Sequence, residues 1–430
     1  MDDAGRMQVV GELCSFERRG PGTDAERRAA NVLAARLRSA GRRVRIEPTH
    51  VHPQYPLVHA LHAALGVAGS ILATAVPAAG FALVLVTAAS AYLDLNTRLY
   101  PLRSLFFRRA SQNVVSPGPR PEAPMRLLLV AHYDAGRSGL FAGERGLRLA
   151  RRLGPRGRVL LGPWRLLLWG GLAPLIPILG ARMAGLDPGW LDVLQLIPTV
   201  VLVVAVFLLL DIALSEIVPG AYDNASGVAA ALSAAERIEA EGLAHNLDVW
   251  VVLTGGGTAQ AEGMRAFVRD HADDLDRERT AIVVLDSVSY GTPHYETSEG
   301  AAISTPLDPG LAEICKAISA GDPAAGPRAT RSAAVGDALP AAVRGRRAIA
   351  ITGLADGLPP PWHGVLEDTP DRVVGASMER TTALVVAMAV RLSRESAQLT
   401  ESPGDAGSQR RDAPAGLREN PGVPGDMSQA

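Results

Sequence analysis

Cysteine is almost absent from this chain. Cys14 and Cys315 are the only two in 430 residues, with no Cys-x-x-Cys spacing, which excludes a disulfide framework and a thiolate metal site and leaves two buried thiols as the expectation. A charge excess is missing as well: the formal net charge is −1, which gives no electrostatic footprint for nucleic acid or an acidic partner. Lysine is scarce, the basic residues being almost all arginine. Met1-Asp2-Asp3 does not lead through a basic stretch into an apolar core, so no signal peptide is expected. Apolar residues, by contrast, are plentiful. They make up 47% of the chain and mean hydropathy lies above zero, which is high for a purely soluble protein and leads us to expect a membrane component.

Thr23-Asp24-Ala25-Glu26 has the form of a capping box, opening a helix that carries Val32, Leu33 and Leu37 and stops at Gly41; residues 44–46 read as a strand. Residues 56–95 are almost wholly apolar, broken only near Pro77-Ala78-Ala79-Gly80, which suits two spans of ~20 residues and a tight turn. A second apolar pair, 160–183 and 190–214, is joined by residues 184–189. Buried hairpins of a soluble core are the alternative, but residues 200–210 are all apolar within a longer run, and transmembrane hairpins are the better reading. Arg98, Arg103, Arg108 and Arg109 follow the first hairpin, and Arg145, Arg148, Arg151, Arg152, Arg156 and Arg158 precede the second, while the turn loops hold no Lys or Arg. Positive residues are retained on the cytoplasmic side, so the soluble domain and both termini are expected there, in a multi-pass protein of the cell membrane whose partner is the lipid bilayer. Asp192 and Asp211 lie near opposite ends of the fourth span and are expected to snorkel, and His50, His52, His59 and His62 are expected to be interfacial polar anchors.

The rest alternates strand-like runs (127–130, 247–253, 281–285 and 348–352) with amphipathic stretches such as 225–240, which argues for an α/β sheet covered by helices. The expected partition is a soluble domain formed by 1–55, 97–159 and 217–394, hairpins at 56–96 and 160–216, and a disordered tail at 395–430. Polar residues gather where such folds bind ligands, beyond the carboxyl ends of strands. His132 and Asp134 follow the run 127–130, two apart and on one side, so the carboxylate can orient the imidazole. Asp223 precedes a helix, Asp286 ends the run 281–285, and His363 follows Pro359-Pro360-Pro361-Trp362. Two His and two Asp suit zinc. Taken singly, each is as well explained by a hydrogen-bonded turn or a helix N-cap.

As a set, these segments resemble the co-catalytic zinc aminopeptidases of metallopeptidase family twenty-eight, the group of aminopeptidase Y, bacterial leucyl aminopeptidases and the transferrin receptor. Gly20-Pro21-Gly22-Thr23, Ser111-Gln112-Asn113-Val114-Val115, Gly220-Ala221-Tyr222-Asp223-Asn224-Ala225-Ser226-Gly227, Val283-Val284-Leu285-Asp286, and His363 with Glu367-Asp368-Thr369-Pro370-Asp371 carry the likeness. It implies a mixed sheet sandwiched between helices. It also implies one metal held by His132, Asp223 and Asp286, a second by Asp223, His363 and a glutamate, and Asp134 as orienter. The family's strand leads into Thr-Gly, a spacer and two glutamates, a general base and then a metal ligand. Here the run ending at Leu253 continues Thr254-Gly255-Gly256-Gly257-Thr258-Ala259-Gln260-Ala261-Glu262-Gly263-Met264-Arg265-Ala266-Phe267, and the pair falls on Gly257 and Thr258.

A positioned general base contributes ~10² to 10⁴ in rate, so the expectation is a membrane-integrated zinc metallopeptidase-like protein that is weakly active or inactive and acts by binding an unidentified peptide or protein. One zinc site is complete on paper and the second is not. Glu262, one helical turn beyond Thr258, is the candidate substitute base. The rival is a working zinc-dependent aminopeptidase at the cytoplasmic membrane face. A transporter is disfavoured because the spans hold too few polar residues to line a path.

Overall fold

Residues 1–401, apart from 161, 187, 244 and 323–325, are described by a computed structural model. The apolar runs read from the sequence become strands buried on both faces, as expected of a parallel centre covered on two sides. Strands β1 (Arg45–Val51), β2 (Arg109–Ser116), β3 (Met125–His132), β4 (Leu247–Thr254), β5 (Thr280–Leu285) and β6 (Thr292–Glu296) join two later ones in a single sheet. A short ribbon, β7 (Ser298–Glu299) with β8 (Thr305–Pro306), stands apart; β9 (Arg328–Thr330) and β10 (Arg347–Leu354) complete the large sheet. Its order is β1-β2-β4-β3-β5-β10-β6-β9. β4, β3, β5 and β10 run parallel, whereas β1 and β2 are antiparallel to each other, β2 is antiparallel to β4, and β6 is antiparallel to β10. This is a mixed sheet with helices on both faces.

Alternate residues serve the two faces. Leu127, Leu129, Val249, Val251, Ala281 and Val283 pack under α1 (Asp3–Cys14), α2 (Asp24–Ser39), α9 (Ser226–Ala240) and α13 (Gly375–Glu401). Leu128, Val130, Trp250, Val252, Ile282 and Val284 pack under α10 (Glu262–Asp270) and α12 (Ala338–Val343). The remaining soluble helices are α5 (Gly143–Leu160) and α11 (Pro309–Gly321). The capping box forms, with Thr23 Oγ1 accepting from the Glu26 amide at 3.2 Å, although the Glu26 carboxylate reaches back to the Gly22 amide at 2.8 Å.

Four helices are long and apolar enough to cross a membrane: α3 (Tyr55–Ala75), α4 (Pro77–Leu95), the segment Pro163–Met183 and α8 (Gly189–Leu214). The third passes from α6 (Pro163–Arg165) through a π-helical stretch (Leu166–Leu172) into α7 (Ala173–Met183). They pack as one bundle, α3 against α4 and α8. A Cβ on Gly80 would lie 2.5 Å from the Ala73 nitrogen and the Gly69 carbonyl oxygen, so glycine is what lets α3 and α4 approach this closely. Outward faces remain apolar: Val86 is 67% exposed and Phe207 68%.

Three details differ from the sequence reading. Arg182 stands at the turn end of the third apolar helix, where the turn loops alone had been counted, and is buried against Asp192 and Gln195. Asp192 is thus the counterion of a buried arginine, and Asp211 accepts the Leu140 amide at 2.6 Å. Finally, α13 continues to Glu401, beyond the composition break at 394; the expected tail from 402 to 430 lies outside the described residues.

Candidate metal centre

At the carboxyl end of β3, His132 continues the face of Leu128 and Val130 and meets Asp286, which follows β5 on the same face. A left-handed Gly220 turns the chain into Asp223, and the next residue fastens that turn to the end of β5. Asn224 donates to the Leu285 carbonyl at 2.9 Å and accepts from the Ser287 amide at 2.8 Å and the Gly227 amide at 3.1 Å. One ligand atom from each of His132, Asp223 and Asp286 lies within 4.8 Å of the others. His132 Nε2 is 3.4 Å from Asp223 Oδ1 and 3.9 Å from Asp286 Oδ1. Ligands ~2.0–2.2 Å from zinc in tetrahedral array are about 3.3–3.6 Å apart, a spacing that His132 and Asp223 have and Asp286 exceeds by a few tenths of an ångström from His132, so this imidazole and two carboxylates form a possible metal-binding triad.

His363 approaches from the far side. Its Nε2 is 3.3 Å from Asp223 Oδ2, and its ring stands edge-on to Tyr222. Asp223 therefore carries one imidazole on each oxygen, the arrangement of a bridging carboxylate. Asp134 lies behind His132, its Oδ1 3.4 Å from Nδ1. Asp368, present in the closing motif but given no role from sequence, accepts the Tyr222 amide at 2.7 Å and the Asp223 amide at 3.3 Å, and so holds the bridging residue from its backbone.

Electrostatics within this cluster are strongly mutual. Burial alone would raise the Asp223 carboxyl, but hydrogen bonds from His132 and His363 hold it well below the usual carboxylate range. Burial opposes the imidazolium of His132, yet Asp134, Asp223 and Asp286 together push it well above its ordinary value. Asp286 is raised, first by burial and then by the charge of Asp223. The carboxylates thus favour positive charge on the imidazoles between them.

The glycine-rich loop after β4 departs from a simple exchange of side chains. The Gly257 amide donates to Asp134 Oδ1 at 2.7 Å, and the Thr258 amide and hydroxyl both donate to Asp134 Oδ2. A Cβ on Gly257 would lie 2.2 Å from the His132 Cβ, so no side chain fits there with His132 as placed. The loop delivers donors to Asp134 where the sequence comparison looked for carboxylates. Glu262 does not stand in as a base. Gln260 and Ala261, both left-handed, turn the chain before α10, and the Glu262 carboxylate goes to the His52 amide, to His52 Nδ1 at 2.8 Å and to Arg103 Nη1 at 3.1 Å.

That destination is a buried polar network at the foot of the α3–α4 hairpin. Arg103 is fully buried and also bonds Asp94 through Nε at 3.0 Å and Nη2, the Gln260 side chain and the Ala259 carbonyl. His59 joins it through Asp94 and Gln260, each at 3.3–3.4 Å, while His62 bonds Ser90 Oγ at 2.9 Å. His52, His59 and His62 are therefore interior hydrogen-bonding residues and not interfacial anchors. A second buried group, also missed from sequence, underlies the triad. Asp337 accepts from Thr254 Oγ1 at 2.6 Å, beside His132 in the sheet register, and Glu299 accepts the Leu339 amide at 2.8 Å. Burial pushes the Asp337 carboxyl up to about 6 and that of Glu299 to about 8. Their segment, 292–340, has no periodic pattern or motif that would have singled them out.

Residues 206–389 match the sequence profile of Peptidase family M28. Among solved structures, the zinc aminopeptidase BSAP of Bacillus subtilis is similar at 12% identity and a TM-score of 0.53, covering 91% of this chain and 95% of that one. LapB of Legionella pneumophila is similar at 14% identity and a TM-score of 0.52, covering 91% and 72%. A Bacteroides thetaiotaomicron glutaminyl cyclase bound to N-acetylhistamine reaches 14% and 0.52, covering 90% and 97%. At such identities these likenesses establish the fold, and one fold serves more than one reaction. A search of curated protein sequences found no match.

Proposed function

The chain fits peptidase family M28, and from that premise we propose that it is a membrane-integrated, zinc-binding relative of the aminopeptidases that hydrolyses peptides weakly or not at all and acts by binding. The observation that carries this reading is the loop after β4. Its Gly257 and Thr258 give three hydrogen bonds to Asp134, and no carboxylate lies between Thr254 and Ala261 to accept a proton or complete a second metal site. His132, Asp223 and Asp286 would hold one zinc, with His363 on the free side of Asp223. A zinc ion supplies Lewis acidity and brings the pKa of water to about 7. Around it, Asp134 fixes the His132 ring through Nδ1, Asp368 fixes Asp223 through two amides, and His363 stays partly exposed, where it can contact a bound chain end.

The membrane reading rests on the four apolar helices, on their outward apolar faces and on the arginines that flank the hairpins on one side. The α/β domain and both termini would then be cytoplasmic. The C-terminal end of α8 is tied to the loop following His132, through Asp211 to Leu140 and Arg137 to the Ser215 carbonyl at 2.7 Å, so the site would sit close to the bilayer.

Zinc content and aminopeptidase turnover of the purified full chain test this function together. About one zinc per chain, lost in His132→Ala, with turnover on chromogenic amides at least ~10²-fold below an active family member, is expected. Vigorous zinc-dependent turnover abolished by His132→Ala would replace this reading with the active exopeptidase, and a purified chain without zinc would remove the metal from it. A reporter fused after Ala430 should report cytoplasm; an external signal would reverse the topology.

A further inference from the structure

A cleft of about 290 Å³ opens on the soluble side of the α3–α4 hairpin. Its walls come from the end of β1, which runs directly into α3, from the segment just past α4, and from α10. Three arginines line it: Arg108, Arg265 and Arg269. Arg108 makes no ion pair among the described residues, and Arg269 is paired only with its neighbour Asp270. Arg265 is held without any acid. Its Nε donates to the Thr97 carbonyl at 3.0 Å, its Nη2 to that of Arg98 at 3.3 Å, and its guanidinium lies 4.2 Å from the centre of the Tyr100 ring.

Two polar atoms of its lining residues are buried without a partner among the described residues. His52 is 7% exposed, and with Nδ1 on Glu262 its Nε2 is left over; the Tyr100 hydroxyl is likewise buried and unbonded. The one acid in the wall, Glu262, is paired from behind with Arg103, which it shares with Asp94, so three lining arginines still face a single acid. Positive charge is therefore in excess. Arg344 registers it from the next element: burial first, then the like charges of Arg265 and Arg269, lower its hold on its proton.

Guanidinium groups matched to oxyanions by geometry, together with a neutral hydroxyl donor such as that of Tyr100, are what a phosphate group requires. We propose that this cleft is a phosphate-binding site, and that its position at the foot of the first hairpin presents it to the headgroup of an anionic lipid. The lipid as source rests on the membrane reading above; the phosphate chemistry does not. An occupant would touch Glu262 and His52, hence Arg103, and through Ala259 and Gln260 the loop that donates to Asp134.

The full chain in uncharged detergent is titrated with phosphatidylglycerol, with phosphatidylcholine and with inorganic phosphate, following its melting temperature, for the native sequence and for Arg108→Gln with Arg269→Gln. Both substitutions are at exposed side chains, and melting without additive controls for folding. Expected is a rise with phosphatidylglycerol well beyond that with phosphatidylcholine, and an apparent affinity about 30-fold weaker in the double variant. If inorganic phosphate matches phosphatidylglycerol and is weakened equally, the site stands and takes free phosphate. Tyr100→Phe should cost a further, smaller loss in either case. The proposal is overturned if neither phosphate source raises the melting temperature, or if the double variant binds as tightly as the native chain. Because the phosphate arm needs neither bilayer nor zinc, its failure is distinct from failure of the proposed function.

Discussion

Asp223 has an imidazole on each carboxylate oxygen, so small movements of its backbone act on both sides of the site at once. Asp368 controls that backbone. Asp368→Ala should weaken zinc binding about 10–100-fold while leaving the α/β fold in place, checked by competition against a chromophoric chelator alongside circular dichroism. Gly257→Glu is expected to lose metal and stability, by about 1–3 kcal/mol, because its Cβ would press on His132; restored turnover in that variant would show that the loop can move aside. The metal-ligand candidates were legible as a set, because His132, Asp223 and Asp286 each end a strand or precede a helix, where position follows from the apolar run beside it, and His363 came only with the closing motif. Glu262 was misread because two left-handed residues intervene, and a left-handed alanine leaves no mark in composition or periodicity. Asp337 and Glu299 were invisible for a different reason, their placement being wholly tertiary.

The elements themselves were easier to read. Both apolar pairs became helices, because a long apolar run has few other outcomes, although the first pair meets at Val76 and residues 77–80 already form the first turn of α4; the strands emerged from unbroken aliphatic runs. What sequence could not supply is how hairpin and sheet are joined. That joint is Arg103, whose guanidinium ties Asp94 of α4 to Glu262 of α10 with no exposure to water. Arg103→Ala leaves two buried carboxylates without their cation and should cost about 3–5 kcal/mol, measured by denaturant unfolding in detergent. Arg103→Met combined with Asp94→Asn and Glu262→Gln should recover most of it, since no charge is then stranded. If the single and triple variants unfold alike, the network is not what joins the two parts.

Across the whole molecule, several buried acids have the same sign of effect on stability. Glu26, hydrogen-bonded to the Gly22 and Gly256 amides, is raised by burial and then by Asp134 from 4.5 to about 8; Glu299 rises to about 8 and Asp337 from 3.8 to about 6. A carboxyl raised on folding means that the folded chain holds more protons than the unfolded one between the two values, so stability falls as pH climbs through that window. Protein treated with chelator should therefore melt highest near pH 5 and progressively lower towards pH 8. Zinc, which needs its ligands deprotonated, should recover more of the loss at pH 8 than at pH 5. A melting temperature that rises with pH under chelation would contradict the buried, protonated state of these acids.

Strand order also sets a timetable for synthesis. β3 lies between β4 and β5, and both neighbours come later in the chain, beyond the fourth apolar helix. When Leu214 leaves the ribosome, 40 residues (254 − 214) remain before β4 is complete, a delay of about 2–8 s at ~5–20 residues per second. During that interval the aliphatic run from Leu127 to Ala131 has neither of its partners, while both apolar helix pairs are already made and, on the membrane reading proposed above, would be free to enter a bilayer. Insertion would then precede assembly, and a nascent chain that fails to insert would present apolar helices and an unpaired strand together, a prime substrate for chaperones and quality-control proteases.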